Sequence, residues 1–280
     1  MFELSRPSNH RFVKSLLILI LLGGPSVSRA TDVYDSATGV LTIPSVIVGN
    51  TTYLNVVVTI GNVISVGGSL PATVSVPLLT AVQNNIMSGY SKSFTINGYY
   101  DTAATPITGS GSINIGGATP TSLNGVQYLK QIGALSLSLT VNGTTTPLSS
   151  VATRYINPTT FATAIVDETN PYYVFPAYKI PGAVVEGQTG IFGTTTEYSS
   201  SSKSTIRGTV VSSYAVTSDS NTSLLVTTIS DDYDTSNNHT AQTSVAYRVT
   251  TSGTMTPLSE TVVSFSVNGS KPFSYTLLIQ

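Results

Sequence analysis

Hydrophobic side chains recur at every second position over long stretches of this chain. In the clearest run, residues 135–141, leucine or valine alternates with serine or threonine. A period of two places successive side chains on opposite faces of a β-strand, so one face is apolar and the other is polar. Buried parallel strands are apolar on both faces, so the pattern favours antiparallel pairing. The same rhythm predicts five strands in the C-terminal half, at 206–217, 223–230, 241–251, 260–267 and 273–279.

Asn-Gly pairs punctuate the alternating runs. Three pairs adjoin clearly alternating runs: Asn97-Gly98, Asn142-Gly143 and Asn268-Gly269. Asn-Gly between alternating runs is a strong hairpin signal, because both central residues of a type I′ turn need positive φ. We therefore predict an all-β fold: an antiparallel up-and-down meander over 93–280 that forms a barrel, a half-barrel or a sandwich. It is accompanied by an N-terminal β-hairpin and at most one short helix.

One segment interrupts the strand pattern between residues 69 and 92. Pro71 and Pro77 break strands, and the apolar residues that follow have helical spacing. We expect a connection over 69–92 that is either a short helix at 78–87 or irregular.

The first 30 residues have the features of a signal peptide. A basic stretch ending at Lys14 precedes the apolar run 15–22, and small residues at Ser28 and Ala30 fit the pattern that signal peptidase accepts. The alternative is an uncleaved anchor, but the run is about half the roughly 20 residues needed to span a bilayer. We predict a mature chain that begins near Thr31 and is exported to the periplasm, the cell surface or the medium, with no transmembrane helix.

The start of the mature chain, residues 31–68, predicts a β-hairpin. Two β-rich runs, 40–48 and 53–60, flank a four-residue loop at 49–52. Pro44 lacks an amide donor, so its strand should be an edge strand or should bulge there.

Three pieces of this hairpin carry a resemblance. They are Leu41–Val46, Tyr53–Val58 and Ser65–Gly68. Together they resemble a module near the N-termini of uncharacterised exported β-rich proteins of Gram-negative bacteria. The resemblance implies export and β architecture, and it implies no function and no catalytic residues.

Residues 154–193 interrupt the meander of the β domain. Four prolines and several aromatic residues, among them Tyr172, Tyr173 and Tyr178, occur together here. The proline content argues against central strands and predicts a Pro/Tyr-rich loop. Such a loop can be a packed connection, a cap over a barrel end or a sheet edge, or a ligand contact.

The amino-acid composition limits the classes of partner that the chain can bind. Only 9% of residues are charged, and the leader holds four of the 12 basic residues and one of the 13 acidic residues, so the mature chain has a net charge near −4. Without clustered Lys and Arg, nucleic acid is not an expected partner. The chain has no cysteine, which excludes disulfides and thiol catalysis. The partners left open are a protein, a glycan or a lipid ligand.

Catalytic and metal motifs are weak. His239 is the one histidine outside the leader, which excludes a zinc site built on several His or Cys ligands. It lies among turn residues, and the chain has no Gly-x-Ser-x-Gly elbow to support a catalytic triad. The acidic run Asp231–Asn238 lacks the EF-hand spacing, so a solvated turn is favoured and calcium binding is the alternative.

Acidic residues offer one route to catalysis. A pair of carboxylates across a cleft can hydrolyse glycosides. Asp167 and Glu168 are adjacent and would point to opposite faces of a regular strand, so a working pair needs another partner. The candidate acids are Asp101, Asp167, Glu168, Glu186 and Glu197.

Three functions remain open. The first is an exported non-enzymatic β-protein with a binding, surface or structural role. The second is a periplasmic carrier or chaperone for a lipid or envelope component. The third is a carboxylate-dependent glycosidase. We assign no catalytic, cofactor-binding or metal-binding residue and no cofactor.

Overall fold

A computed structural model describes residues 33–35, 40–48, 51–59, 74–100, 105–265 and 272–280. The predicted leader and the Asn268-Gly269 turn lie outside these residues. One helix, α1 (Leu78–Ser88), is described, as the sequence predicts. The strands are β1 (Val33–Asp35), β2 (Val40–Val48), β3 (Thr51–Thr59), β4 (Ser75–Val76), β5 (Tyr90–Tyr100), β6 (Thr105–Ile115), β7 (Thr119–Leu123), β8 (Val126–Val141), β9 (Thr144–Ile156), β10 (Thr163–Asp167), β11 (Tyr172–Val174), β12 (Val184–Val185), β13 (Thr189–Tyr198), β14 (Ile206–Ser220), β15 (Ser223–Asp234), β16 (His239–Thr250), β17 (Met255–Ser264) and β18 (Phe273–Ile279).

The strands before residue 72 form a unit of their own. β1, β2 and β3 make an antiparallel sheet with β2 in the centre. The pairing of Val48 with Thr51 starts the second hairpin strand two residues earlier than predicted. β1 pairs only with Val40–Thr42, so Pro44 lies in a part of β2 that has one partner strand.

Twelve of the later strands close into an antiparallel barrel, which decides between the three predicted architectures. The order around the barrel is β5, β6, β8, β9, β10, β11, β13, β14, β15, β16, β17 and β18. The last strand pairs with β5 from Phe273 to Ile279, and this pairing closes the barrel. β7 also pairs with β8, and β12 pairs with β4 in a separate two-stranded sheet.

Strands β6 and β8 show a mostly apolar inner face and a mostly polar outer face. Along β8 the inward residues Leu135, Leu137 and Leu139 are buried, while Ser136 and Ser138 are exposed. β6 repeats the pattern, with isoleucines buried and Thr108, Ser110, Ser112 and Asn114 exposed. The two-residue period of the sequence therefore marks the inner and outer faces of the wall.

Of the two predicted Asn-Gly turns among the described residues, one is present and the other is not. Asn142 and Gly143 have φ of 49° and 74° and connect β8 to β9, as predicted. The prediction of a turn at Asn97-Gly98 is wrong, because both residues continue β5. Gly98 is needed there because a Cβ would contact the carbonyl oxygen of Ser274 in the neighbouring strand.

The segment 154–193 is not one loop. It contains the end of β9, all of β10, β11 and β12, and the start of β13. β10 and β11 have five and three residues and are buried on both faces, so they show no alternation for the sequence to reveal. The stretch between β11 and β12 keeps the loop character and turns into the barrel, where Phe175 and Tyr178 pack in the core.

Candidate ligand-binding cavity

Helix α1 lies against one end of the barrel. Asn84 Nδ2 donates to the carbonyl oxygen of Gly253, in the β16–β17 turn, at 3.0 Å. On another side of the barrel, the Ile86 carbonyl oxygen accepts from Ala118 N at 2.9 Å and from Gln131 Nε2 at 3.0 Å. The two bonds to Ile86 satisfy one carbonyl at the C-terminal end of the helix, and all three bonds hold the helix across the strand ends.

The helix forms because its apolar residues share one face. Leu78, Ala81 and Ile86 are buried, and Val82 is half-buried beside them. Pro77 precedes the first turn, where its missing amide hydrogen is not needed. The buried face packs on two clusters, one with the valines of β14–β16 and one with Leu129 and Ile156.

Gln131 is the buried support of this helix, and it gives a first prediction. Its side chain is 1% exposed. Gln131→Met removes the donor to Ile86 O at similar volume, and we expect a loss of about 1–2 kcal/mol in the free energy of unfolding. Hydrogen exchange of the α1 amides should accelerate. Gln127→Met, at an exposed position of the same strand, is the control; equal effects of the two variants would contradict this role.

A cavity of about 60 Å³ lies beneath α1 inside the barrel. Such a volume has room for about four water molecules. Its walls come from the helix, from the loop that follows β11 and from strands on several sides. The lining residues are Leu78, Val82, Asn85, Ile86, Tyr90, Ile115, Gln131, Arg154, Phe161, Thr163, Tyr178, Ile180, Phe192, Thr228, Tyr247 and Met255.

Arg154 is the charged residue of this lining. It projects inward from β9, two residues from the buried Ala152 and Ile156, and is 8% exposed. Burial lowers the pKa of its guanidinium to about 10, while the phenols of Tyr90, Tyr247 and Tyr178 act in the opposite direction. The side chain therefore carries a positive charge at neutral pH.

Three tyrosines share the cavity wall with Arg154. Burial raises the pKa of the phenols of Tyr90, Tyr178 and Tyr247, and the Arg154 charge partly opposes the rise in each. They remain protonated at neutral pH and keep a hydroxyl hydrogen that can be donated. Tyr178 also stacks on Phe192 with ring centroids 5.2 Å apart, which fixes its ring.

Glu260 is a buried carboxyl near this group. It is 0% exposed, lies on β17 between the inward residues Val245 and Leu277, and has no hydrogen-bond partner among the described residues. Burial raises the pKa of this carboxyl well above its ordinary value. The Glu260 carboxyl also raises the pKa of the phenols of Tyr90 and Tyr247 in the cavity wall, by an effect smaller than that of burial. Glu260 itself does not line the cavity.

The acids named as glycosidase candidates lie elsewhere. Asp167 Oδ1 accepts from Thr169 N at 2.7 Å in the β10–β11 turn. Glu186 is exposed before β13, and Glu197 lies near the other end of that strand, 3.5 Å from Arg207 Nε. Asp101 lies outside the described residues.

Glu168, Glu197 and Asp232, which belongs to the acidic run Asp231–Asn238, act on one buried phenol. Besides the larger effect of burial, Glu197, Glu168 and Asp232 all raise the pKa of the Tyr173 phenol. Burial, Glu197 and Asp231 raise the pKa of Asp232 to about 8. None of these five side chains lines the cavity beneath α1.

His239 and the acidic run form a turn and its flanks. His239 Nε2 lies 3.0 Å from Asp231 Oδ1, and its ring lies between Tyr233 and Phe265 with centroid distances of 5.0 and 4.4 Å. Asp234 Oδ1 accepts from Ser236 N and Asn238 N at 2.9 Å each. These bonds close the β15–β16 turn on its own carboxylate, in the manner of an Asx turn.

No group of three or more His, Asp or Glu side chains among the described residues is arranged to hold a metal ion. No helix in the described part of the chain has the length and hydrophobicity to cross a bilayer.

No protein-family model and no curated protein matches this chain. Among solved structures, it is similar to a porin-like protein from Bacteroides uniformis, with 10% sequence identity and a TM-score of 0.22. The similarity covers 67% of this chain and 96% of that chain. A score this low carries no argument about function.

The cavity combines one cation, several hydroxyl and amide groups, and apolar walls. That is the composition of a small-molecule binding site, in which few polar groups orient a ligand in a mostly apolar pocket. The sequence analysis missed Arg154 because it assigned residue 154 to a loop. The alternation of the strand could have revealed it, because Arg154 lies at every second position with Ala152 and Ile156, whose side chains point into the barrel.

Proposed function

We propose that this chain is an exported, non-enzymatic binding protein whose small ligand occupies the cavity beneath α1. The observation that carries the proposal is a positively charged, buried Arg154 in the wall of an otherwise uncharged cavity. Burying a charge is costly, so a charged group at such a position is more often functional than structural.

The barrel wall supports a protein that works in water. Transmembrane barrels present an apolar band to lipid and a polar interior. Here most outward positions of β6 and β8 carry serine, threonine or asparagine, with Ile132 and Ala134 as apolar exceptions on β8, and the large inward side chains are mainly leucine and isoleucine. Hydroxyl groups facing lipid would lose hydrogen bonds to water without replacement. The polar face therefore favours an aqueous compartment such as the periplasm or the medium.

The lining residues support binding in preference to catalysis. They provide no carboxylate, histidine or serine to act as a base or nucleophile at the cavity. The grouped acids Glu168, Glu197 and Asp232 lie outside its wall. A glycosidase would need two carboxylates facing the substrate across one cleft.

The cavity volume favours a small ligand over a lipid. About 60 Å³ is far too little for the acyl chain of a membrane lipid. A lipid carrier or chaperone would require α1 to leave the barrel end, against its hydrogen bonds to the β6–β8 side and to Gly253.

Cavity filling tests the proposal. Val82→Phe on α1 places a larger side chain against the cavity, whereas Met87 on the same helix is 50% exposed and does not line it. In protein NMR spectra, millimolar butyrate, butanamide and butanol should be screened against the mature chain. We expect at least one solute to shift the amide signals of lining residues in the wild type and in Met87→Phe, and to lose this effect in Val82→Phe.

Two results would count against the site. Either no solute shifts the lining residues of the wild type, or Val82→Phe binds as well as Met87→Phe. Uptake of a fluorescent long-chain fatty acid, equal in all three proteins, would instead favour the lipid carrier.

A further inference from the structure

We infer that the ligand of the cavity is a short-chain monocarboxylate whose carboxylate binds the Arg154 guanidinium. The inference rests on the proposed function and adds the chemical class of the ligand. It follows from the charge, the hydroxyl groups, the apolar surfaces and the volume of the cavity.

The charge of the lining selects an anion. Of the sixteen lining residues, Arg154 alone is charged at neutral pH. A guanidinium offers a planar fork of N–H donors that matches the two oxygens of a carboxylate. In a site with low water content this attraction is stronger than at the protein surface. A cationic ligand would instead meet repulsion from the same group.

The hydroxyl groups around Arg154 suit the same ligand. The phenols of Tyr90, Tyr178 and Tyr247 lie close enough to Arg154 to influence its pKa, and all three residues line the cavity. Because burial raises their own pKa values, they are hydrogen-bond donors at neutral pH. A carboxylate has about four lone-pair sites, more than one guanidinium fills, so phenol donors can complete its hydrogen bonding.

The rest of the wall fits a short hydrocarbon tail. Leu78, Val82, Ile86, Ile115 and Phe161 supply apolar surface on the helix and strand sides. A volume of about 60 Å³ has room for only a few non-hydrogen atoms, so the hydrocarbon tail must be short. A second carboxylate would be desolvated against these apolar groups, which disfavours dicarboxylates.

A ligand series on the wild-type protein tests the class without any mutation. Butyrate, butanamide and n-butylammonium have similar size and differ in charge. By isothermal titration at neutral pH, we expect butyrate to bind, butanamide to bind about 30-fold more weakly, and n-butylammonium not to bind. The expected ratio corresponds to one charge-assisted hydrogen-bonded contact. Octanoate should bind more weakly than butyrate because its tail exceeds the cavity.

Substitutions of the lining residues then test which side chains bind the carboxylate of the ligand. Arg154→Gln should weaken butyrate by about 30-fold or more and leave butanamide almost unchanged, a difference that a general packing defect would not produce. Tyr178→Phe is a milder change that keeps the ring stack on Phe192 and should weaken butyrate several-fold. Arg248→Gln is the matched control, because Arg248 is exposed and pairs with Asp219 outside the cavity.

The outcomes separate the two proposals. If butanamide or butylammonium binds as tightly as butyrate in the cavity, the carboxylate class is wrong and the binding site stands. Unchanged butyrate affinity in both Arg154→Gln and Tyr178→Phe would overturn the assigned contacts. If no member of the series binds and no solute shifts the lining residues, both proposals fail.

Discussion

The Gly98→Val variant is expected to lose about 3 kcal/mol or more of the free energy of unfolding, because it forces a side chain into the strand pair that closes the barrel. Gly98 pairs with Tyr275 of β18 and with Ile107 of β6. A Cβ at position 98 would lie 2.5 Å from both Cα and Cβ of Tyr275 and closer still to the carbonyl oxygen of Ser274. Backbone atoms in a paired strand cannot move away without breaking the ladder.

Urea unfolding followed by far-ultraviolet circular dichroism measures this loss. The control is Gly182→Ala, since a Cβ at 182 would have no atom within 4 Å and its backbone does not adopt a left-handed conformation. The control should stay within about 0.5 kcal/mol of the wild type. A Gly98→Val protein as stable as the Gly182→Ala protein would mean that β5 and β18 do not close the barrel as described.

Gly98 also shows where turn signals in the sequence fail. Asn97-Gly98 and Asn142-Gly143 are the same dipeptide, yet the first continues a strand and the second makes a turn. The local code is ambiguous because glycine is required both for positive φ and for close approach of a neighbouring backbone. Which requirement applies depends on β18, which pairs with β5 from the far end of the chain, and no local pattern contains that information.

The long strands were predictable because each has one wet and one buried face. The predicted strand 206–217 corresponds to β14, and 223–230 corresponds to β15, with ends within a few residues. β18 matches its predicted range, 273–279. Closure was not predictable, since a sandwich and a barrel share the same two-residue period. The Asn124-Gly125 turn, with φ of 51° and 79°, was missed because the strand before it, β7, has only five residues and no apolar alternation.

The candidate site was hidden for a related reason. Its polar groups, Arg154 and Glu260, occupy inward positions of strands and belong to no motif. A charged residue in phase with buried neighbours is a signal that can be read only after the inward face is known. Tyr178 belonged to the aromatic segment for which ligand contact was one stated alternative, and it does line the cavity.

Glu260 leads to the second large prediction, which concerns pH. The folded-state pKa of this carboxyl is raised by burial, so the folded protein holds a proton that the unfolded chain releases. Its contribution to stability is therefore fully present below the unfolded-state pKa, about 4.3, and is lost as the pH rises toward the folded-state value. Removing the carboxyl should relieve this loss at alkaline pH.

Glu260→Leu is expected to be about 1–4 kcal/mol more stable than the wild type at pH 8, because an apolar side chain replaces a fully buried ionisable group without a described hydrogen-bond partner. Glu260→Gln tests the charge with little change in shape, and its stability relative to the wild type should rise steadily from pH 4 to pH 8. Urea unfolding across this range measures both differences, and comparison with the wild type cancels the other titrating groups. Glu186→Gln, at an exposed site, is the control variant and should stay within about 0.5 kcal/mol of the wild type. A pH-independent difference for Glu260→Gln, or a less stable Glu260→Leu protein at pH 8, would show that Glu260 is stabilised in the folded protein by interactions that offset its burial.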